Sequence, residues 1–86
     1  MNIYYSDLFA KKIKQLPREI KTKVRKKLDL LLDNPHHPSL RTKKIQSQNN
    51  LFETSITMNI RLTWQYSTDG IILRNIGAHD KTLKNP

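Results

Sequence analysis

Two arginines and a histidine in the second half of the chain have side chains that could carry chemistry. Arg61 and Arg74 lie inside segments with the alternating pattern of β-strands, and His79 follows the last of these segments. A guanidinium can hold a phosphate through two hydrogen bonds and neutralise charge that develops in a transition state. Imidazole titrates near neutrality, so His79 can donate a proton to a leaving oxygen. These residue types suit reactions at a phosphodiester.

The same residues also have structural interpretations. Arg61 can form a cross-strand salt bridge with Glu53, and a single surface histidine is more often incidental than catalytic. Glu53 can act as a base toward a ribose 2′-hydroxyl, although pairing with an arginine is the commoner role of such a carboxylate. Asp80 can cap a turn or orient the ring of His79. The residue types alone leave both interpretations open.

Charge points to polyanionic partners. The chain has sixteen Lys and Arg and seven Asp and Glu, which gives a formal net charge of +9. Twelve of the sixteen basic residues lie in residues 1–44. A small body with this charge attracts nucleic acid, the ribosome or an acidic protein. Arg41, Lys43 and Lys44 form a cluster that suits phosphate contacts, although an exposed, solvated stretch is the alternative. Solubility is the alternative explanation for the net charge as a whole.

Several classes of site are excluded by composition. The absence of cysteine excludes disulfides, thiol catalysis and cysteine-bound zinc, and two glycines are too few for a glycine-rich phosphate loop. His36 and His37 are adjacent and have no second ligand pair at a suitable spacing. We therefore expect no metal and no cofactor. No signal peptide is evident, and no apolar run approaches the ~20 residues of a membrane span, so we expect a soluble, cytoplasmic protein.

The first half of the chain has the pattern of two helices after a short β-prone run at residues 3–5. Ser6 is a candidate N-cap for the first helix, and Pro17 ends that helix and begins the next. Asn34-Pro35 closes the second helix. The apolar stripe of this second helix consists of Ile20, Val24, Leu28 and Leu31. Its other faces are assigned to Lys21, Lys23, Arg25, Lys26 and Lys27.

The second half has the pattern of a small sheet. A short strand is possible at 41–45, a polar turn follows at 47–50, and β-prone segments cover 51–57, 60–66 and 71–76. If Tyr66 pairs with Ile71 across the loop, Thr63 faces Arg74, and Arg61 shares a polar face with Arg74. The sequence predicts an α+β fold in which an N-terminal strand and a helical hairpin pack on a three- to four-stranded, mainly antiparallel sheet.

Three segments together resemble the RelE/ParE toxin superfamily, and within it the YafQ-like branch: HPSLRTKKI, LFETSITMNIRLTWQY and IILRNIGAHDKTL. The resemblance covers nearly the whole chain, so residues 1–86 are expected to be a single toxin domain. Its most specific element is the terminal Ile-Gly-x-His. The Phe-Glu strand, the Arg-x-x-Trp strand and the basic segment are less specific.

The resemblance implies a toxin of a type II toxin–antitoxin system that cleaves mRNA on the ribosome without a metal. In such enzymes a ribose 2′-hydroxyl attacks the adjacent phosphate. The resemblance places His79 as general acid and Arg61 at the transition state, with Glu53 as the best available base. Arg41, Lys43, Lys44 and Arg74 would hold RNA. It also implies neutralisation by an acidic antitoxin, a partner that the net charge suits independently.

Some positions depart from the YafQ-like pattern. Ser55 stands where these enzymes carry a second histidine, Asn59 replaces an acidic residue near the turn, and Leu83 replaces an aromatic residue. Ser55 and Asp80 are therefore assigned supporting roles. Two other functions remain open: a ParE-like poison of DNA gyrase, against which His79 argues, and a non-catalytic RNA- or ribosome-binding module, for which the missing second histidine argues.

Overall fold

A five-stranded mixed sheet is the centre of the computed structural model, which describes residues 2–45 and 50–86. The strands are β1 (Asn2–Tyr5), β2 (Lys43–Lys44), β3 (Leu51–Ser55), β4 (Ile60–Tyr66) and β5 (Gly70–Ala78), and they lie in the order β1-β5-β4-β3-β2. β1 is parallel to β5, and the other neighbours are antiparallel. The α+β prediction is confirmed. The sheet has five strands rather than three or four because β1 and the two-residue β2 both join its edges. Most of the predicted turn at 47–50 lies outside the described residues.

The predicted helical hairpin is present as α1 (Asp7–Lys14) and α2 (Arg18–Asp33), and a 3₁₀ turn follows at Pro38–Leu40. A third helix, α3 (His79–Lys84), was not predicted, because six mostly polar residues carry no apolar periodicity. Among the described residues no helix is long and apolar enough to cross a membrane.

Ser6 joins α1 to the sheet as well as capping it. Its Oγ accepts a hydrogen bond from the backbone N–H of Phe9 at 3.0 Å and donates one to the carbonyl of Arg74 at 2.6 Å. We expect Ser6→Ala to lower the free energy of unfolding by about 1–2 kcal/mol, measured by urea denaturation. Ser6→Thr keeps the hydroxyl and is the control. An alanine variant as stable as the threonine variant would contradict this role.

One face of the sheet packs against α1 and α2 and forms the hydrophobic core. At its centre Trp64 is fully buried, stacks on Phe52 with ring centroids 4.8 Å apart, and donates from Nε1 to Thr54 Oγ1 at 2.9 Å. This bond satisfies the indole N–H, which would otherwise be buried without a partner, and Thr54 Oγ1 also lies 3.1 Å from Thr42 Oγ1. The other buried apolar side chains of the cluster are Phe9, Val24, Leu31, Leu40, Ile56, Leu62, Ile71, Leu73 and Ile76.

The other face of the sheet carries α3 and the residues that follow it. Thr63 and Asn75 are buried there as cross-strand neighbours. Thr63 Oγ1 donates to the main-chain oxygen of Pro86 at 3.2 Å, and Asn75 Nδ2 donates to the carbonyl of Asn85 at 2.9 Å. These two side chains hold the segment after α3 against the sheet.

The register between β4 and β5 corrects one prediction. Tyr66 pairs with Ile71 as expected, but Thr63 faces Asn75 rather than Arg74. A register shift at Thr63/Trp64 leaves Arg74 as an extra residue in β5, which is the geometry of a β-bulge. Beyond the bulge every pairing moves by one residue. The hairpin loop therefore predicts the register only as far as Trp64.

Edge strand β1 is anchored by the β4–β5 loop. Gly70 faces Asn2, and a Cβ at Gly70 would lie 1.9 Å from the carbonyl oxygen of Asn2, so only glycine allows this approach.

The side chain of Asn2 and the hydroxyl of Tyr4 both donate to the Asp69 carboxylate. The bonds from Asn2 and Tyr4 lower the pKa of Asp69, and the hydrogen bond to Asp69 raises the pKa of the Tyr4 hydroxyl. Because the folded-state pKa of Asp69 is lowered, the stabilisation is present above its unfolded value and is lost as the pH falls through the folded value.

Candidate active site

Arg61 lies at one end of the sheet, between Ser55 of β3 and Gly77 of β5. Its Nη1 donates to the carbonyls of Thr57 at 2.8 Å and Met58 at 2.7 Å, in the turn that joins β3 to β4. The side chain is 17% exposed. Two carbonyls thus fix the guanidinium, and its Nη2 group makes no hydrogen bond within the described part of the chain.

The same turn also positions His79. The backbone N–H of His79 donates to the carbonyl of Asn59 at 2.8 Å, so α3 begins beside the turn that holds Arg61. The His79 side chain is 46% exposed, and its Nδ1 lies 3.2 Å from Asp80 Oδ1. Asp80 therefore contacts the ring, as expected for an orienting residue. His79 and Arg61 share one end of the sheet, and the imidazole is accessible to a substrate.

Glu53 lies next to Arg61 on the same face. Its Oε1 is 3.9 Å from Arg61 Nε, and its side chain is 13% exposed. The predicted pairing of Glu53 with an arginine is therefore confirmed as a contact. Lys43 lies directly opposite Glu53 on β2, and Ser55 lies opposite Arg61 on β3. Cross-strand neighbours share a face, so the structure brings Glu53, Ser55, Arg61 and Lys43 together.

A groove of about 250 Å³ opens on the β3 side of Arg61. We call it the basic groove and define it by four side chains that line it: Lys27, Arg41, Ser55 and Arg61. Other lining residues are Ser39, Ile56, Thr57 and Met58. Arg41 follows the 3₁₀ turn in the left-handed region, with φ of 49°, which is uncommon for a residue other than glycine. The groove thus collects cations from α2, from the segment after the 3₁₀ turn and from β4.

Lys27 is the residue that sequence reasoning placed wrongly. It was assigned to the faces of α2 outside the apolar stripe, yet it is half-buried and lines the basic groove. The sequence does contain an indication: Lys27 stands three residues after Val24 and four before Leu31, both of which are buried. This spacing puts Lys27 on the core-facing side of the helix.

Two of the predicted RNA-binding residues lie apart from this group. Lys44 pairs with Phe52, and the pleat puts it on the opposite face from Lys43. Arg74 precedes Gly77 by three residues, roughly 10 Å along the strand. Its Nη1 donates to Gln65 Oε1 at 2.6 Å and its Nε donates to the main-chain oxygen of Pro86 at 3.2 Å. Arg74 shares the polar face with Arg61, as predicted, but not the site.

Comparisons with known proteins give a clear result for structure and none for sequence. No protein-family model matches the chain, and no curated protein matches it. Among solved structures, YafQ from E. coli strain BL21(DE3) is similar, with a TM-score of 0.79 at 17% identity over 94% of this chain and 96% of that one. The RelB–RelE antitoxin–toxin complex from Methanococcus jannaschii matches with a TM-score of 0.72 at 20% identity, over 96% and 99%. The YoeB/ParE toxin from Agrobacterium tumefaciens matches with a TM-score of 0.81 at 10% identity, over 92% and 99%.

The chain has the RelE/ParE toxin fold. The resemblance inferred from the sequence segments is thereby confirmed at the level of fold, with YafQ, RelE and YoeB/ParE as structural neighbours. These matches span almost the whole of each chain, so the similarity of fold extends over nearly all of the sequence. A fold does not determine an activity, which depends on the side chains at the site.

Proposed function

We propose that this chain is the toxin of a type II toxin–antitoxin system and acts as a ribosome-dependent mRNA endonuclease. The observation that carries the proposal is that one turn, 56–59, positions both an accessible histidine and an arginine on a RelE/ParE fold. A proton donor beside a fixed guanidinium suits cleavage of a phosphodiester. The net charge of +9 supports an RNA substrate.

In the proposed reaction the 2′-oxygen of a bound nucleotide attacks the adjacent phosphorus. The bond from phosphorus to the 2′-oxygen forms as the bond to the 5′-oxygen of the next nucleotide breaks. His79 gives a proton to the leaving 5′-oxygen, and Arg61 Nη2 stabilises the charge on the phosphorane. The products are a 2′,3′-cyclic phosphate and a 5′-hydroxyl. All proton transfers use side chains, and no metal or cofactor takes part in the proposal.

Glu53 is the proposed acceptor of the 2′-hydroxyl proton. Its carboxylate lies 3.9 Å from Arg61 Nε, so a phosphate held by Arg61 would be close to it. If Glu53 is the base, Glu53→Gln lowers the cleavage rate by about 10²–10⁴-fold in a single-turnover assay on programmed ribosomes, because glutamine cannot accept the proton. If Glu53 only pairs with Arg61, the amide variant keeps most of the rate, and another group must be the base.

The partners of the proposed toxin follow from its charge and its structural neighbours. The RelE neighbour was solved as an antitoxin–toxin complex with RelB. We propose a comparable acidic antitoxin for this chain, bound to its cationic surface. Arg41 and Lys43 contact the mRNA on the ribosome, Lys44 and Arg74 contact it outside the site, and Ser55 and Asp80 support Arg61 and His79. Action on ribosomes places the toxin in the cytoplasm.

Induction in cells separates this function from its rivals. We expect induction of the wild-type chain to arrest growth and to create new mRNA 5′ ends inside translated frames. Growth arrest with double-strand DNA breaks and no new 5′ ends would instead identify a gyrase poison. Ribosome association without arrest or cleavage would identify a non-catalytic binding module. Co-expression of an acidic antitoxin that restores growth would support the proposed partner.

A further inference from the structure

The basic groove brings three like charges together without an acid among its lining residues. Lys27, Arg41 and Arg61 come from separate segments, and Glu53 contacts Arg61 without lining the groove. Like charges that converge in a partly enclosed space repel one another more strongly than they do in open solvent. Such an arrangement is favourable when an anion occupies the space.

The donors of the groove remain available to an anion. Lys27 Nζ donates one hydrogen bond, to the carbonyl of Ser39 at 3.0 Å, which leaves two of its three N–H groups. Arg61 uses only Nη1 for the turn carbonyls, which leaves Nη2. The side chains of Arg41 and Ser55 make no hydrogen bond to the described residues. Tetrahedral oxyanions such as phosphate accept bonds from several such donors at once.

The groove is separate from the position of His79. The groove opens on the β3 side of Arg61, whereas His79 follows β5, on the other side of β4. Strands β3 and β5 flank β4 and lie about 9–10 Å apart. His79 is not among the residues that line the groove, so a phosphate bound there by Lys27 and Arg41 is held by different side chains from the phosphate next to His79.

We propose that the basic groove binds the RNA phosphate adjacent to the scissile one, with Lys27 and Arg41 as its ligands and Arg61 between the two phosphates. The inference rests on the proposed endonuclease and names a subsite for its substrate. A phosphate subsite explains why a lysine occupies the core-facing side of α2. The aliphatic part of Lys27 lies beside buried residues, and its ammonium group reaches the groove. The strand would then cross the end of the sheet from the 3₁₀ turn toward α3.

Lys27→Gln and Lys26→Gln form a matched pair for testing the subsite. Each removes one positive charge from α2, but Lys26 is exposed on the neighbouring face of the helix and does not line the groove. Glutamine keeps an N–H donor at position 27 on a side chain one bond shorter than that of lysine, and the two variants are compared at equal stability, checked by urea denaturation. Any difference between the two variants therefore reports the charge in the groove.

The assay is fluorescence anisotropy of a labelled single-stranded RNA tetranucleotide over a range of salt concentrations. We expect Lys27→Gln to weaken binding about three- to tenfold more than Lys26→Gln. We also expect it to reduce the slope of log affinity against log salt by about 0.7, the value for one lost phosphate contact on a single strand. Equal affinities and slopes for the two variants would overturn the proposal, as would a wild-type chain that does not bind the RNA.

Three further outcomes separate the RNA subsite from a protein contact and from the proposed endonuclease function. If an oligoglutamate peptide discriminates between the two variants and the RNA does not, the groove is a protein contact and the proposal is wrong. If the Lys27 effect on RNA is present while induced cells show no new mRNA 5′ ends, the subsite is supported and the proposed endonuclease function fails. Cleavage that depends on His79 but is equal in both lysine variants would overturn the subsite alone.

Discussion

His79→Ala is expected to lower the cleavage rate by about 10²–10⁴-fold, the usual contribution of a positioned general acid. The leaving 5′-oxygen would then depart without a proton from the protein. The effect should appear in a single-turnover assay on programmed ribosomes at saturating toxin, so that binding does not limit the rate. His79 is exposed, and its backbone bond to Asn59 does not depend on its side chain, so the variant should fold normally.

His36→Ala is the matched control for His79→Ala. His36 is also an exposed histidine, but its ring contacts Phe52 and Tyr66 near the other end of the sheet, away from the turn at 56–59. We expect this variant to cleave at nearly the wild-type rate. Equal losses in the two variants would show that His79 has no special role. Full activity in His79→Ala would exclude it as the general acid.

Arg61→Ala is expected to lower the same rate by about 10²–10³-fold, the scale for losing one preorganised donor to a transition state. Arg61 also holds the β3–β4 turn through the carbonyls of Thr57 and Met58, so some loss of stability is expected in addition. The free energy of unfolding should therefore be measured by denaturation alongside the rate, and the rate should be taken where both proteins are folded.

Arg61→Lys separates charge from geometry. Lysine keeps the positive charge but lacks the planar guanidinium that binds both carbonyls and a phosphate at once. We therefore expect Arg61→Lys to recover only part of the cleavage rate lost in Arg61→Ala. A purely structural arginine predicts the opposite pattern. In that case Arg61→Ala would melt at a lower temperature, yet cleave at the wild-type rate wherever it is folded.

The helical hairpin and strand β4 were predictable from the sequence because residues close together in the chain mark their ends and faces. Ser6 and Asn34-Pro35 mark helix ends by capping and by the constraints of proline, and both ends are where the sequence predicts them. Alternation in IRLTWQY predicts strand β4 with its bounds, because one face is core and the other is not. These features depend on residues close together in the chain.

Features that depend on distant contacts were not predictable in this way. The bulge at Arg74 shifts the register, and it is held by Ser6, Gln65 and the main-chain oxygen of Pro86, which lie far apart in sequence. Helix α3 forms where the buried Thr63 and Asn75 fix the residues that follow it, and no periodicity in its own sequence marks it. Both the bulge and helix α3 therefore depend on contacts between residues that are distant in the sequence.

The candidate site was predictable in its residues but not in its arrangement. Residue type, position in the chain and the resemblance to RelE/ParE toxins together led to Arg61, His79 and Glu53 as candidates, because guanidinium, imidazole and carboxylate are the groups that phosphodiester cleavage uses. Their meeting depends on the turn at 56–59, whose main-chain carbonyls hold Arg61 and the start of α3. Every residue has a backbone carbonyl, so the sequence does not show which carbonyls accept these hydrogen bonds. The spacing of Lys27 from Val24 and Leu31 indicates its side of the helix, but only the structure shows that it lies in one groove with Arg41 and Arg61.

The central claim is that His79 and Arg61 act on one phosphodiester, and the chemistry of the RNA ends tests it most directly. The purified protein, programmed ribosomes and a defined mRNA should yield a 2′,3′-cyclic phosphate on the upstream fragment and a 5′-hydroxyl on the downstream fragment. His79→Ala and Arg61→Ala should each lower the rate at which both ends form at the same cut sites by about 100-fold or more. Fragments with 5′-phosphates, or cyclic phosphates that form at the wild-type rate in the His79 variant, would contradict the account.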